Sequence, residues 1–186
     1  MNNQGQTHTF KRAQFEGVIH LINSNDDLNN IISLLRDAKI LGFDTETKPS
    51  FSKGEYYKVS LLQLSTSTDA FLFRLHFIDQ FSSLKEIFEN EDVIKVGLAI
   101  RDDIKALQKM FSFGPKSFIE LQEIAKTEGL KNFGLKGMSE EVLNLTLSKR
   151  AKLTNWEAKS LSQEQQNYAA TDAWIGLKLY EKLKSF

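Results

Sequence analysis

Cysteine is absent from the 186 residues, which excludes disulfides and thiolate metal sites and is compatible with a reducing compartment. An excess of either charge is missing too. With 24 basic and 24 acidic residues the formal net charge is zero, so no bulk field recruits polyanions, and any contact with nucleic acid must come from local patches. No apolar run approaches the length needed to cross a bilayer. The polar opening, residues 1–9, lacks the apolar core of a signal peptide. The expectation is a cytoplasmic protein without a membrane partner. No internal repeat or low-complexity stretch stands out.

What is present describes an ordinary globular chain, with 41% hydrophobic and 26% charged residues. Its length fills one core well and is short for two domains, so a polar leader over residues 1–16 and a single domain over 17–186 are expected. Phenylalanine is common at 14, and Phe71, Phe73, Phe77, Phe81 and Phe88 fall in alternating or helical patterns that point to the core. Strands are expected over 17–22, 40–46, 59–65, 70–75, 93–97 and 118–121, with a turn at 66–69. Helical spacing runs through Leu28, Ile31, Ile32, Leu34 and Leu35 behind a cap at Ser24 or Asp26, through 81–88, and through 103–110. The remainder reads as helical. Its longest helix, 161–183, opens with a capping box made by Ser162 and Gln165. Strands followed by strands interleaved with helices predict an α/β architecture with a mixed sheet flanked by helices.

Two stretches carry chemistry. Residues 40–47 read I-L-G-F-D-T-E-T, and Asp44 and Glu46, two apart on a strand, point to the same face. Residues 162–172 read S-Q-E-Q-Q-N-Y-A-A-T-D, which sets Tyr168 and Asp172 one helical turn apart. Asp is a poor residue for a helix interior, so Asp172 calls for a reason. The small residues Ala169, Ala170, Ala173 and Gly176 would let this helix come close to the sheet and bring Asp172 beside Asp44. Grouped carboxylates repel unless a divalent cation or shared protons neutralise them, and carboxylate oxygens suit hard cations such as Mg2+ or Mn2+. Asp103 is a further candidate ligand. Bland readings stand beside each of these: two acids in a surface turn, Asp102 and Asp103 as first-turn helix acids, alanines that merely pack. Lys48, Lys53 and Lys58, Lys131 and Lys136, and Lys149, Arg150 and Lys152 are local basic clusters that could contact nucleic acid, each read first as a solvated face. The loop from Lys48 to Lys58, with Phe51, Tyr56 and Tyr57, could grip a strand by stacking and phosphate contact or be an ordinary surface loop.

The segments I-L-G-F-D-T-E-T, K-V-G-L-A-I-R-D-D-I-K-A-L and Y-A-A-T-D-A resemble the three motifs of the tyrosine-bearing DEDD 3′–5′ exonucleases, the group of ribonuclease D and the Werner syndrome exonuclease domain. The likeness runs from about residue 20 to the C-terminus. It implies a ribonuclease H-like fold, a hydrolase that removes nucleotides from the 3′ end of a single strand or duplex, and two divalent cations. By position, Asp44 would bridge both ions, Glu46 would ligate one near the 3′ hydroxyl, Asp103 would hold the second, Asp172 would complete the nucleophile side, and Tyr168 would orient the attacking water. The count from Gly97 favours Asp103 over Asp102. Thr45, Lys48 and Tyr56 are candidate substrate contacts. Leu98 and Ser160 depart from the usual pattern at positions where relatives often carry a polar residue and a proline. The absence of a helical appendage after the third motif suggests a free-standing nuclease domain. Two rivals remain: a nucleic-acid-binding module without catalysis, which retention of all four acids argues against, and an aspartate-nucleophile phosphatase, which D-T-E-T partly mimics.

Overall fold

The computed structural model describes residues 9–148 and 150–184. Its elements run β1 (Lys11–Arg12), β2 (Val18–Ile22), α1 (Asn25–Arg36), β3 (Ile40–Thr47), β4 (Val59–Ser65), β5 (Asp69–Arg74), α2 (Ser82–Glu89), β6 (Ile94–Gly97), α3 (Ile100–Gln108), β7 (Phe118–Glu120), α4 (Leu121–Thr127), α5 (Leu135–Met138), β8 (Leu145–Thr146) and α6 (Gln163–Lys184). Six strands form a mixed sheet in the order β2-β5-β4-β3-β6-β7. The pairs β3–β4 and β4–β5 are antiparallel, and the outer pairs β2–β5, β3–β6 and β6–β7 are parallel. The two-residue strands β1 and β8 pair with each other in parallel.

Period-two alternation divides the residues of β3 between two layers. Leu41 and Phe43 face α1, α2 and α3 in the larger core, where the Phe43 ring meets Phe118 edge-on at 5.4 Å. Gly42, Asp44 and Glu46 face the other side, toward α6. Phe71, Phe73 and Phe88 are fully buried as expected, whereas Phe77 is 45% exposed and lies under the Arg74 guanidinium. Helix α6 is enclosed on most sides, a helix of the interior rather than the surface. Ala169 and Ala170 pack toward β4 and β5, while Ile175 and Leu179 join Leu121, Ala125 and Met138 beyond. The capping box at its start is present: Ser162 N–H donates to Gln165 Oε1 at 3.0 Å, and Gln165 N–H donates to Ser162 Oγ at 3.2 Å.

Three stretches differ from expectation. Residues 9–16 are not a ragged leader, because Ala13 and Phe15 are buried and Phe15 N–H donates to Thr171 Oγ1 at 3.1 Å; residues 1–8 lie outside the described residues. The span between β7 and α6, read as helical, holds only the short helices α4 and α5, a π-turn over 139–143, β8 and a run of turns. Gly129 and Asn144 adopt positive φ there and end helical segments. Helix α3 starts earlier than expected, at Ile100, after Ala99 in the left-handed region. Glu120 compensates at that start: its carboxylate accepts from Ala99 N–H at 2.8 Å and Ile100 N–H at 2.9 Å, and also from Gln122 N–H at 3.1 Å at the head of α4.

Candidate active site

Helix α6 and the sheet come close together where Gly42 meets Ala173. A Cβ on residue 42 would lie 2.0 Å from the Ala173 carbonyl oxygen, so only glycine lets α6 settle there. Gly176, by contrast, leaves ordinary van der Waals room, 3.6 Å to Val96 O. Seating the helix at Gly42 carries Asp172 over the end of β3. There Asp44, Glu46 and Asp172 each offer an oxygen within 4.8 Å of the others.

These three acids floor a cleft of roughly 680 Å3, which Asp103, Thr45, Lys136, Lys152 and Tyr168 also line. Asp103 reaches it from the first turn of α3 and stands apart from the triad, its carboxylate accepting a hydrogen bond from the Thr45 hydroxyl. Asp102, next to it, points away: its side chain is 93% exposed and pairs with Lys105 at 3.6 Å. The Tyr168 hydroxyl leans on Asp172, and its ring packs 6.1 Å from the buried Trp156. Lys48 and Tyr56 do not line the cleft. Lys48 Nζ lies 3.8 Å from Glu157 Oε2 and 4.7 Å over the Tyr57 ring, and Tyr56 is 94% exposed.

The electrostatics are those of acids crowded out of water. Burial, and then the charges of Asp172 and Asp103, hold the Asp44 carboxyl well above the usual carboxylate range. Burial and the charges of Asp44 and Asp172 push Glu46 up to about 9. Burial raises Asp172 to about 7 against the hydrogen bond from Tyr168 and the charge of Lys152. Asp103 is raised chiefly by burial, and Tyr168 is raised by burial and by Asp172 and Glu46.

Two participants escaped sequence reasoning. Lys152 was visible only as part of a basic run, yet its ammonium is a positive charge felt at Asp44, Glu46 and Asp172. Gln63, cross-strand from Asp44, is fully buried, and neither amide atom has a partner among the described residues. No local pattern marks Gln63. Alternation along β4 alone puts it on the acidic face.

Carboxylates brought this close, with raised pKa values and an orphaned amide behind them, suit a hard divalent cation better than they suit one another. The measurable consequence runs through pH. Groups whose folded pKa exceeds the unfolded value add stability below the unfolded pKa and lose it as pH rises through the folded one. Metal-free protein should therefore lose Tm as pH rises above the ordinary carboxylate range, the loss from Asp172 ending near 7 and that from Glu46 near 9. Added Mg2+ or Mn2+ should restore it, by an increment that grows between about pH 6 and pH 9 as protons cease to compete. Thermal unfolding with and without each ion measures this, and an increment independent of pH would contradict it.

A mixed sheet in this strand order, flanked by helices and with acids gathered over the end of its central strand β3, is a ribonuclease H-like domain. The chain belongs to the 3′-5′ exonuclease family, whose model matches residues 19–185. It is 37% identical over 175 residues to exonuclease 3′-5′ domain-containing protein 2 of Drosophila melanogaster, an alignment covering 89% of this chain and 30% of that protein. Identity to the bifunctional 3′-5′ exonuclease/ATP-dependent helicase WRN of Mus musculus is 34% over 155 residues, 80% of this chain and 11% of that one. The match thus takes in less than a third of either relative. Among solved structures, the Nibbler EXO domain of Aedes aegypti superposes with a TM-score of 0.83 at 26% identity, covering 95% of this chain and 91% of the other. Ribonuclease D of Escherichia coli gives 0.81 at 28%, covering 89% and 44%. No helix among the described residues is long and apolar enough to cross a membrane.

Proposed function

We propose that the chain hydrolyses phosphodiester bonds at the 3′ end of a nucleic-acid strand, with two divalent cations, and releases nucleoside 5′-monophosphates. The observation that carries this is the convergence of Asp44, Glu46 and Asp172 within 4.8 Å in a cleft that Asp103, Tyr168 and Lys152 also line.

Asp44, Glu46 and Asp172 would hold one ion, and Asp103, released from Thr45, would join Asp44 around the other. Bound there, Mg2+ or Mn2+ supplies a low-pKa water and neutralises charge on the leaving oxygen. The protein's own groups do the rest. Tyr168, whose phenol is held protonated by burial and by the acids beside it, is a poor base and a good hydrogen-bond donor, suited to orienting the attacking water. Lys152 offsets negative charge where a scissile phosphate would meet the carboxylates. Thr45 steadies Asp103 until an ion draws it away. Lys48 and Tyr56, off the cleft, would touch only more distant parts of a strand.

The direct test is degradation of 3′- and 5′-labelled oligonucleotides with Mg2+, with Mn2+ and with chelator. Mononucleotide release from the 3′ end that stops on chelation is expected, and hydrolysis confined to small phosphomonoesters would favour the phosphatase instead. Escherichia coli ribonuclease D is described as an exoribonuclease involved in structured RNA processing, while WRN couples its exonuclease to a helicase. Matched DNA and RNA strands belong in the same assay, since 2′-hydroxyl contacts have no fixed motif. Tyr168→Phe should slow the single-turnover rate by about 10- to 100-fold while metal affinity stays within about twofold, the signature of a group that positions water. An unchanged rate would remove Tyr168 from the mechanism.

A further inference from the structure

We propose that a second pocket, on the far side of Tyr168 from the acidic cleft, is a subsite for the strand phosphate adjacent to the one being cut, with Arg12 and Arg150 as its cations. The inference rests on the nucleic-acid reading above and adds a site to it.

The pocket has a volume of roughly 290 Å3, and Arg12, Gln14, Ser148, Arg150 and Asn167 supply donors to its walls. It shares Leu147, Ser148, Tyr168 and Asp172 with the cleft, so the two cavities adjoin across the tyrosine. Its size falls at the bottom of the range for whole-ligand pockets, about 300–1,000 Å3. A phosphate with the edge of its sugar fits that space better than a complete nucleotide.

Two features separate this pair of arginines from ordinary surface cations. The first is anchorage. Arg12 sits on β1 in register with Thr146, and the next residue is fixed by Ala13 N–H donating to Thr146 O at 2.9 Å. Buried Ala13 and Phe15 complete the docking. The backbone of Arg12 is thus held against the segment that leads into Ser148 and Arg150. The second is distribution. The turn after β8 sends Arg150 to the pocket and Lys152 to the cleft, so a strand lying across Tyr168 meets a positive charge on either side. Neither guanidinium has an ion-pair partner among the described residues, although Glu164 stands in the same wall, whereas Arg36 pairs with Glu86 at 2.6 Å. A guanidinium fork matches phosphate geometry. In a chain of zero net charge, such local cations must do the attracting.

The test uses the full chain carrying Asp44→Asn, which binds without cutting. Affinity for a single-stranded oligonucleotide is measured over a salt series, alone and with Arg12→Ala plus Arg150→Ala. Affinity should fall about tenfold, and the salt slope should shrink by about 0.7 for each arginine lost from a single-strand phosphate. Arg12→Lys should keep its share of the slope, and Lys11→Ala, on the opposite face of the same strand, should leave it as it was. With Asp44 intact, the double variant should raise KM more on a long oligonucleotide than on a dinucleotide, which has only the scissile phosphodiester. An unchanged salt slope overturns the subsite. Weakened inhibition by a nucleoside monophosphate, with KM for the long strand unmoved, also overturns it by assigning the pocket to released product. Failure of the wild-type chain to cut any strand would instead sink the exonuclease reading, and the binding series would still decide the pocket.

Discussion

Asp44→Asn is expected to abolish turnover while leaving the fold as stable as before or more so. Asp44 lies at the junction of the triad with Asp103, and its carboxyl feels both Asp172 and Asp103. An amide keeps the shape but removes a charge and a ligand oxygen from any cation shared among these acids. A loss of about a thousandfold or more, roughly 4 kcal/mol of transition-state stabilisation, is the expected scale. Stability should move the other way. Because the carboxyl titrates above its unfolded value, its ionisation costs folding free energy at high pH. The Asn variant should therefore melt at or above the wild type in the absence of metal, with the gap widening as pH rises. Turnover of a 3′-labelled strand and melting at several pH values check both halves. A folded variant with full activity would refute the role, and a variant that melts much earlier would mean that Asp44 is structural.

Gly42→Ala tests the same centre from behind, without touching an acid. The new methyl would lie 2.0 Å from the Ala173 carbonyl and 2.6 Å from Ser65 Oγ. A helix backbone cannot rotate away as a side chain can, so α6 must retreat by about 1 Å to reach tolerable contact. Overpacking of this kind costs about 1–3 kcal/mol, or roughly 2–12 °C of Tm for a chain of this size. The retreat also moves Asp172 from Asp44, and a displacement of about 1 Å at a reacting centre can cost about a hundredfold in rate. Activity measured well below the new Tm, together with a smaller metal-induced rise in Tm, would separate displaced acids from simple unfolding. Unchanged activity would mean that the triad tolerates the shift.

Much of this was legible in the chain because several local signals agreed. Strand β4 spans Val59–Ser65 as its apolar run predicts, and Ser162 with Gln165 announced the head of α6. Alternation alone put Asp44 and Glu46 on one face, and the unusual Asp in a helix interior pointed to Asp172. The exclusion of Asp102 from the cleft follows from where Ala99 turns the chain into α3, a detail set by Glu120 from another strand. The span between β7 and α6 reads as helical because its apolar spacing is locally helical, while glycines and the positive φ of Asn144 divide it. Arg12 and Gln63 carry no pattern of their own, and Lys152 belongs only to a basic run. Their positions arise from register and from the docking of β1 on β8, which are contacts between segments far apart in sequence. The loop bearing Lys48 and Tyr56 stands out by composition, but neither residue lines the cleft.

One consequence follows from where the acids reside along the polypeptide. Asp44 and Glu46 leave the ribosome before Asp172, which comes with α6, and domains tend to fold as units once their residues are available. On the function proposed above, a ribosome-bound chain would stay silent until that helix has left the exit tunnel. The turns over residues 150–160 join the two halves of the centre. A protease nick there, at exposed sites such as Leu153, would yield fragments that each keep part of the acidic set and are inert alone, so that mixing them offers a route to a split, reassembly-gated nuclease.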